Sequence, residues 1–103
     1  MRVLAYIESK FPVPPEQMPM MLEGFKAWRE KYRGQMESFF FFAGRQGGGG
    51  ILNVPDEAAL NKMMLEWPLS QYSDTRIEML VDGDVALKQW EVAVQSMRQP
   101  VHA

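Results

Sequence analysis

Between Arg2 and Glu8 apolar and polar positions alternate. Val3, Ala5 and Ile7 share one side, Arg2, Leu4, Tyr6 and Glu8 the other, which predicts a strand with one plainly apolar face. Pro12, Pro14 and Pro15 then form a stiff connection that cannot continue a strand. Proline is tolerated in a first helical turn, so a helix is expected to begin near Pro15. At about 100° per residue, Met18, Met21, Leu22, Phe25, Trp28 and Tyr32 fall on one face of it, up to Gly34. Four consecutive phenylalanines, Phe39 to Phe42, come next. Side chains alternate along a strand, so Phe39 and Phe41 point one way and Phe40 and Phe42 the other, and both faces call for burial.

Gly44 to Gly50 read as a hairpin leading into a short strand, Ile51 to Val54. A second helix is expected from Asn53 or Asp56, carrying Leu60, Met63, Met64 and Leu65 and ending before Pro68. Thr75 to Val81 alternates again, with Ile77, Met79 and Val81 on one side and Arg76, Glu78 and Leu80 on the other. After the turn Asp82-Gly83-Asp84, a last helix from about Val85 to Met97 places Ala86, Leu87, Trp90, Ala93, Val94 and Met97 on one stripe. The order strand, helix, strand, strand, helix, strand is that of the ferredoxin-like βαββαβ arrangement, an α+β fold with an antiparallel four-stranded sheet and two helices on one face. The extra C-terminal helix either pads its own sheet or reaches a second subunit. One domain over residues 1–98 is expected, with a flexible tail at 99–103. A chain of 103 residues covers one sheet face with its own helices, so the second phenylalanine face implies a homodimer.

Composition narrows the function classes. With 11 basic and 13 acidic residues the net charge is -2, and no Lys/Arg cluster marks a phosphate-binding surface, so nucleic acid is not an expected partner. No apolar run of about 18 residues and no secretion signal is present, so no membrane association is expected and the location is taken as cytoplasmic. The absence of cysteine removes disulfides, thiolate nucleophiles and thiolate metal sites together. The single histidine, His102, sits in the tail, so no metal site and no Ser-His-Asp triad is expected.

The glycine run reads mainly as a flexible hairpin. It also leaves room for a ligand or a partner subunit beside Tyr6, Phe40 and Phe42, most directly at Gly48. A phosphate cradle would need a helix to follow, and a strand follows instead. Tyr6 and Glu8 on the first strand and Arg76 and Glu78 on the fourth form a constellation that is either a site facing a barrel interior or a salt-bridged sheet surface. The nine methionines and the three tryptophans, Trp28, Trp67 and Trp90, read as core filling and packing anchors.

The runs Ser9-Lys10-Phe11-Pro12, Phe42-Ala43-Gly44, Asn53-Val54-Pro55 with Ala59-Leu60 beyond, and Pro68-Leu69-Ser70-Gln71-Tyr72 resemble those of muconolactone delta-isomerases over about residues 4 to 80. The resemblance implies a dimeric α+β barrel, in some cases assembled into a larger homo-oligomer. It also implies proton transfer between ring carbons of an unsaturated lactone without any cofactor. Such a step needs a carboxylate and a donor to the developing oxyanion. The family's helix glutamate falls on Glu23. Its His-Tyr pair is replaced by Arg45-Gln46, and a Tyr and an Asn further along become glycines, which counts against muconolactone itself as the substrate. Periodicity alone puts Glu23 on the polar side of its helix with Glu16 and Glu30, although Met20 and Ala27 share that side.

The resulting expectation is a small cofactor-free enzyme catalysing isomerisation, cyclisation or related proton transfer on an apolar oxygenated cyclic small molecule. Glu23 and Arg45 are its catalytic candidates, and Tyr6, Glu8, Phe40, Phe42, Gln46, Gly48, Arg76 and Glu78 its substrate-binding candidates. Two alternatives stay open: a noncatalytic ligand-binding or dimerisation module, and a cofactor-independent monooxygenase of an aromatic substrate.

Overall fold

A computed structural model describes residues 1–98; the expected tail at 99–103, with His102, lies outside the described residues. Strand β1 (Arg2–Ser9) leads through a 3₁₀ turn at Pro15–Gln17 into helix α1 (Met18–Tyr32). Strands β2 (Met36–Phe41) and β3 (Gly47–Asn53) form a hairpin, followed by helix α2 (Glu57–Leu65), strand β4 (Ser73–Met79) and helix α3 (Gly83–Arg98). The four strands form one antiparallel sheet in the order β2-β3-β1-β4. This is the α+β, ferredoxin-like architecture that the alternation predicts.

Register separates the two sheet faces. Val3, Ala5 and Ile7 lie opposite Leu52, Gly50 and Gly48 of β3 and opposite Met79, Ile77 and Thr75 of β4, and this face looks toward the helices. Leu4, Tyr6 and Glu8 oppose Ile51, Gly49 and Gly47 on the other face. An irregularity between Met36 and Ser38 shifts the pairing so that Met36, Phe39 and Phe41 all share the inner face. The extra residue, Glu37, accepts two hydrogen bonds from Arg2 at 2.8 Å and one from Asn53 at 3.1 Å, which ties β1, β2 and β3 together.

The core lies between the inner face and the two helices. Val3 and Met63 are fully buried, and Ala5, Tyr32, Leu52, Val54 and Leu60 close around them. Asp56 caps α2 by accepting from the Ala59 N–H at 2.9 Å, and Trp28 Nε1 donates to the Met63 carbonyl at 2.9 Å, linking α1 to α2.

Three expectations are corrected. The glycine run is not a loop. Gly47 to Gly50 are the first residues of the central strand β3, and the turn is confined to residues 42–46. A Cβ at Gly48 would sit 2.4 Å from the Phe40 carbonyl oxygen, and one at Gly49 would sit 2.4 Å from that of Ala5. Only glycine permits so close an approach of neighbouring backbones. The last strand begins and ends two residues earlier than the alternation suggests, because Ser73 pairs with Ser9. Trp90 is not an anchor of the fold: it is 68% exposed, and no residue of α3 is buried. Helix α3 stands out from the body, and the chain measures 72 × 28 × 22 Å with a radius of gyration of 19.1 Å, against about 13 Å for a compact chain of this length.

Candidate functional site

Helix α1 does not close fully over the sheet. Between its first two turns and the inner face lies a cleft of about 300 Å³, walled by Met18, Met21, Leu22 and Phe25 of α1, Ile7 and Phe41 of the sheet, and Trp67 beyond α2. A deeper compartment of about 60 Å³ continues among Ala5, Trp28, Phe39 and Met64, sharing Ile7, Phe25, Phe41 and Trp67 with the outer part. Phe25 is the hub of this aromatic wall, with ring centroids 5.3 Å from Trp67 in an edge-on arrangement, 5.7 Å from Phe39 and 6.1 Å from Phe41.

Polar groups occur only where the cleft opens. Ser9, Gln46, Tyr72 and Ser73 line it there. The Tyr72 hydroxyl donates to Gln17 Oε1 at 2.7 Å, which fixes the phenol against the start of α1. Ser73 Oγ donates to the Leu69 carbonyl at 2.8 Å. Lys10 and Phe11 both donate backbone N–H groups to the Tyr72 carbonyl, holding β1 to the segment before β4. None of the cleft-lining residues is a carboxylate.

Ser9 and Gln46 also line a neighbouring open pocket with Glu8, Lys10 and Arg45. There Arg45 Nη1 lies 3.3 Å from Glu8 Oε1, and its guanidinium stacks 4.4 Å from the centre of the Phe42 ring. The cleft mouth therefore borders an arginine–carboxylate pair held on an aromatic ring.

The candidates from the sequence divide between the two faces. Gln46 and Gly48 belong to the cleft and its deep compartment. Tyr6 and Glu8 lie on the outer face, with Arg76 opposite Tyr6 and Glu78 opposite Leu4 in the β1–β4 register. Phe40 and Phe42 flank each other on that face at 6.1 Å, although Phe40 also borders the deep compartment. Glu23 joins neither group. Its side chain is 75% exposed and lies 3.7 Å from Lys26, the arrangement of a solvated helix surface. Tyr72, Ser9 and Trp67 were not anticipated as site residues. The first two sit inside the runs that carry the family resemblance, and that position is the signal that could have found them.

Two electrostatic clusters lie away from the cleft. The Tyr32 hydroxyl and Lys31 Nζ both donate to Glu66 Oε2, joining the end of α1 to the end of α2. The Tyr32 bond, then the Lys31 bond, hold the Glu66 carboxyl below its ordinary value, and the same contact raises the Tyr32 phenol. Glu37 is likewise held low, chiefly by its hydrogen bonds from Arg2. Among the described residues, no three His, Asp or Glu side chains converge to hold a metal ion.

Compared with solved structures, the chain superposes on the crystal structure of muconolactone isomerase with a TM-score of 0.72, covering 100% of this chain and 97% of that one at 17% identity. The chain has the muconolactone isomerase fold. A second match is 5-chloro-2-hydroxyhydroquinone dehydrochlorinase from Burkholderia phenoliruptrix AC1100, in complex with 2,5-dihydroxybenzoquinone. Its TM-score is 0.60, with 14% identity over 82% of this chain and 98% of that one. No protein-family model and no curated protein sequence matches. The likeness to muconolactone isomerase is thus one of architecture over the whole length.

Proposed function

We propose that the cleft between α1 and the sheet binds an oxygenated, ring-sized, otherwise apolar molecule, and that the chain rearranges it by proton transfer with its own side chains, as a homodimer. The observation that carries this reading is the division of the cleft: apolar and aromatic throughout its depth, polar only at its mouth. About 300 Å³ is the lower end of the range for small-molecule sites and suits a single ring. The bound dihydroxybenzoquinone of the dehydrochlorinase neighbour is a molecule of that kind.

The ring enters between Phe25 and Phe41 with its oxygens toward the mouth. Tyr72, oriented by Gln17, donates to one of them, and Gln46 and Arg45 meet the charge that builds on a carbonyl oxygen as a ring proton leaves. Glu8 lies outside the cleft, paired with Arg45 in the adjoining pocket that shares Ser9 and Gln46 with its mouth. In this reading a ring position that projects past those two residues meets Glu8, which takes the proton there and returns it to another ring position, so that no net proton is gained or lost. A second reading, a ligand carrier without chemistry, is favoured by one observation: no carboxylate lines the cleft itself.

Two measurements test these readings. Titration with a dihydroxybenzoquinone or an unsaturated γ-lactone should quench the fluorescence of Trp28 and Trp67 saturably, and Tyr72→Phe should weaken binding by roughly 5- to 20-fold, the value of one or two hydrogen bonds. In D₂O, turnover should place deuterium on the lactone ring, and Glu8→Gln should slow this by roughly two orders of magnitude. Binding without deuterium incorporation selects the carrier, and the absence of any binding overturns both.

A further inference from the structure

The floor of the deep compartment is made by small residues of the inner face. Gly50 of β3 stands between Ala5 of β1 and Phe39 of β2 in the register. Across two strand spacings, about 10 Å, the sheet therefore presents a methyl group, a bare backbone and a phenyl ring. A Cβ at Gly50 would lie 2.5 Å from the Ser38 carbonyl oxygen, so no larger residue fills the gap from that position. From the helix side, Trp28 of α1 and Met64 of α2 bridge it.

The hollow also offers no hydrogen bond. Every side chain that lines it is apolar or aromatic. The two indole N–H groups in its wall are engaged elsewhere, Trp28 Nε1 with the Met63 carbonyl at 2.9 Å and Trp67 Nε1 with Ser73 Oγ at 3.5 Å. The backbone of Gly48 to Gly50 is paired with β1 on one side and β2 on the other. A polar group placed there would give up water and gain no partner. Size sets a second limit. An apolar cavity of about 150 Å³ holds a benzene ring, so a compartment of about 60 Å³ excludes a ring and takes roughly two or three carbons.

We infer that the deep compartment is a specificity subsite for a methyl or ethyl group carried by the ring, on the side away from its oxygens. This subsite rests on the ring-binding reading of the cleft. With the ring between Phe25 and Phe41 and its oxygens toward Gln46 and Tyr72, a substituent on the far side is the part that enters between Ala5 and Met64. An apolar hollow of this kind stays dry, so an alkyl group entering it displaces no water and gains its full transfer from solvent, about fourfold in affinity per carbon. Ala5 sets the depth of the subsite and Met64 its roof.

Unsaturated γ-lactones bearing hydrogen, methyl, ethyl, hydroxymethyl or phenyl on the ring carbon bonded to neither the ring oxygen nor the carbonyl carbon are titrated into the full-length chain, with tryptophan fluorescence as the readout. Methyl is expected to bind about 4-fold and ethyl about 15-fold more tightly than hydrogen. Hydroxymethyl, close to ethyl in size, should bind at least about 10-fold more weakly than ethyl, and phenyl no more tightly than hydrogen. Ala5→Val fills the hollow and should bring the ethyl-to-hydrogen ratio below about 3-fold. Met64→Ala raises the roof and should move the optimum from ethyl to propyl or butyl, and either variant decides the matter where the other fails to fold. Affinities that ignore the substituent while the unsubstituted lactone binds, or a hydroxymethyl lactone that binds as tightly as the ethyl one, overturn the subsite and leave the cleft standing. Failure of every member to bind, the unsubstituted lactone included, overturns the cleft as a binding site and the subsite with it.

Discussion

The inner face of the sheet carries Val3, Ala5, Leu52 and Phe39 under two helices, whereas the outer face carries Leu4, Tyr6, Phe40, Phe42 and Ile51 beside Glu8, Arg45, Arg76 and Glu78 with no element of the chain above them. The inner face is closed except for a cleft sized for a ring. The outer face mixes aromatic rings with charged side chains, of which Glu8 and Arg45 are paired, and its aromatic and arginine content suits an interface. The central strand serves both, because its glycines contribute almost no side-chain bulk to either.

That shared strand gives the largest expected effect. A Cβ at Gly49 points to the outer face and meets the Ala5 carbonyl oxygen at 2.4 Å and Tyr6 Cβ at 2.8 Å. Gly49→Val should therefore cost about 4 kcal/mol or more, enough to unfold a marginal domain, read as the urea midpoint. A soluble, normally stable Gly49→Val that merely loses ligand would return the glycines to the role of leaving ligand space and remove the strand-packing argument.

Much of this arrangement was legible in advance. The alternation in β1 and β4, the 3.6-residue period of α1 and the order of elements follow from side-chain geometry alone, and they appear in the structure with boundaries moved by a few residues. Gly47 to Gly50 were not legible as strand, because glycine carries no periodicity and its usual meaning is a turn. Their strand state is imposed by β1 on one side and β2 on the other, a tertiary effect. The cleft was hidden for a related reason. Tyr72 lies far in sequence from Ser9 and Gln17, and the β1–β4 pairing, with the Tyr72–Gln17 bond, brings it to the mouth beside them.

The next effect separates the faces. Phe39→Asp puts a charge among Phe25, Trp28 and Met36 on the inner face and should lower stability by several kcal/mol. Phe40→Asp, one residue along, should leave the fold standing and weaken the proposed outer-face dimer by at least about 100-fold, since an unpaired charge at a dry interface costs a few kcal/mol. Sedimentation equilibrium and thermal unfolding of the two variants check both halves. Equal stability losses with unchanged mass would mean that the outer face needs no partner.

The smallest effect is expected at Glu23. Its carboxylate stands in solvent beside Lys26, no cleft atom touches it, and an exposed pair of this kind contributes little. Glu23→Gln should thus change ring deuteration less than about twofold, while Glu8→Gln changes it by roughly two orders of magnitude. The comparison is sharpest where it fails. Met20, 69% exposed, and Ala27 lie on the same side of α1 as Glu23, a surface that another subunit would bury. A large loss in Glu23→Gln with binding retained would mean that a neighbouring copy covers this side of α1, shields the carboxylate from water and brings it to a reacting ring. The polar side of α1, not the mouth of the cleft, would then hold the base.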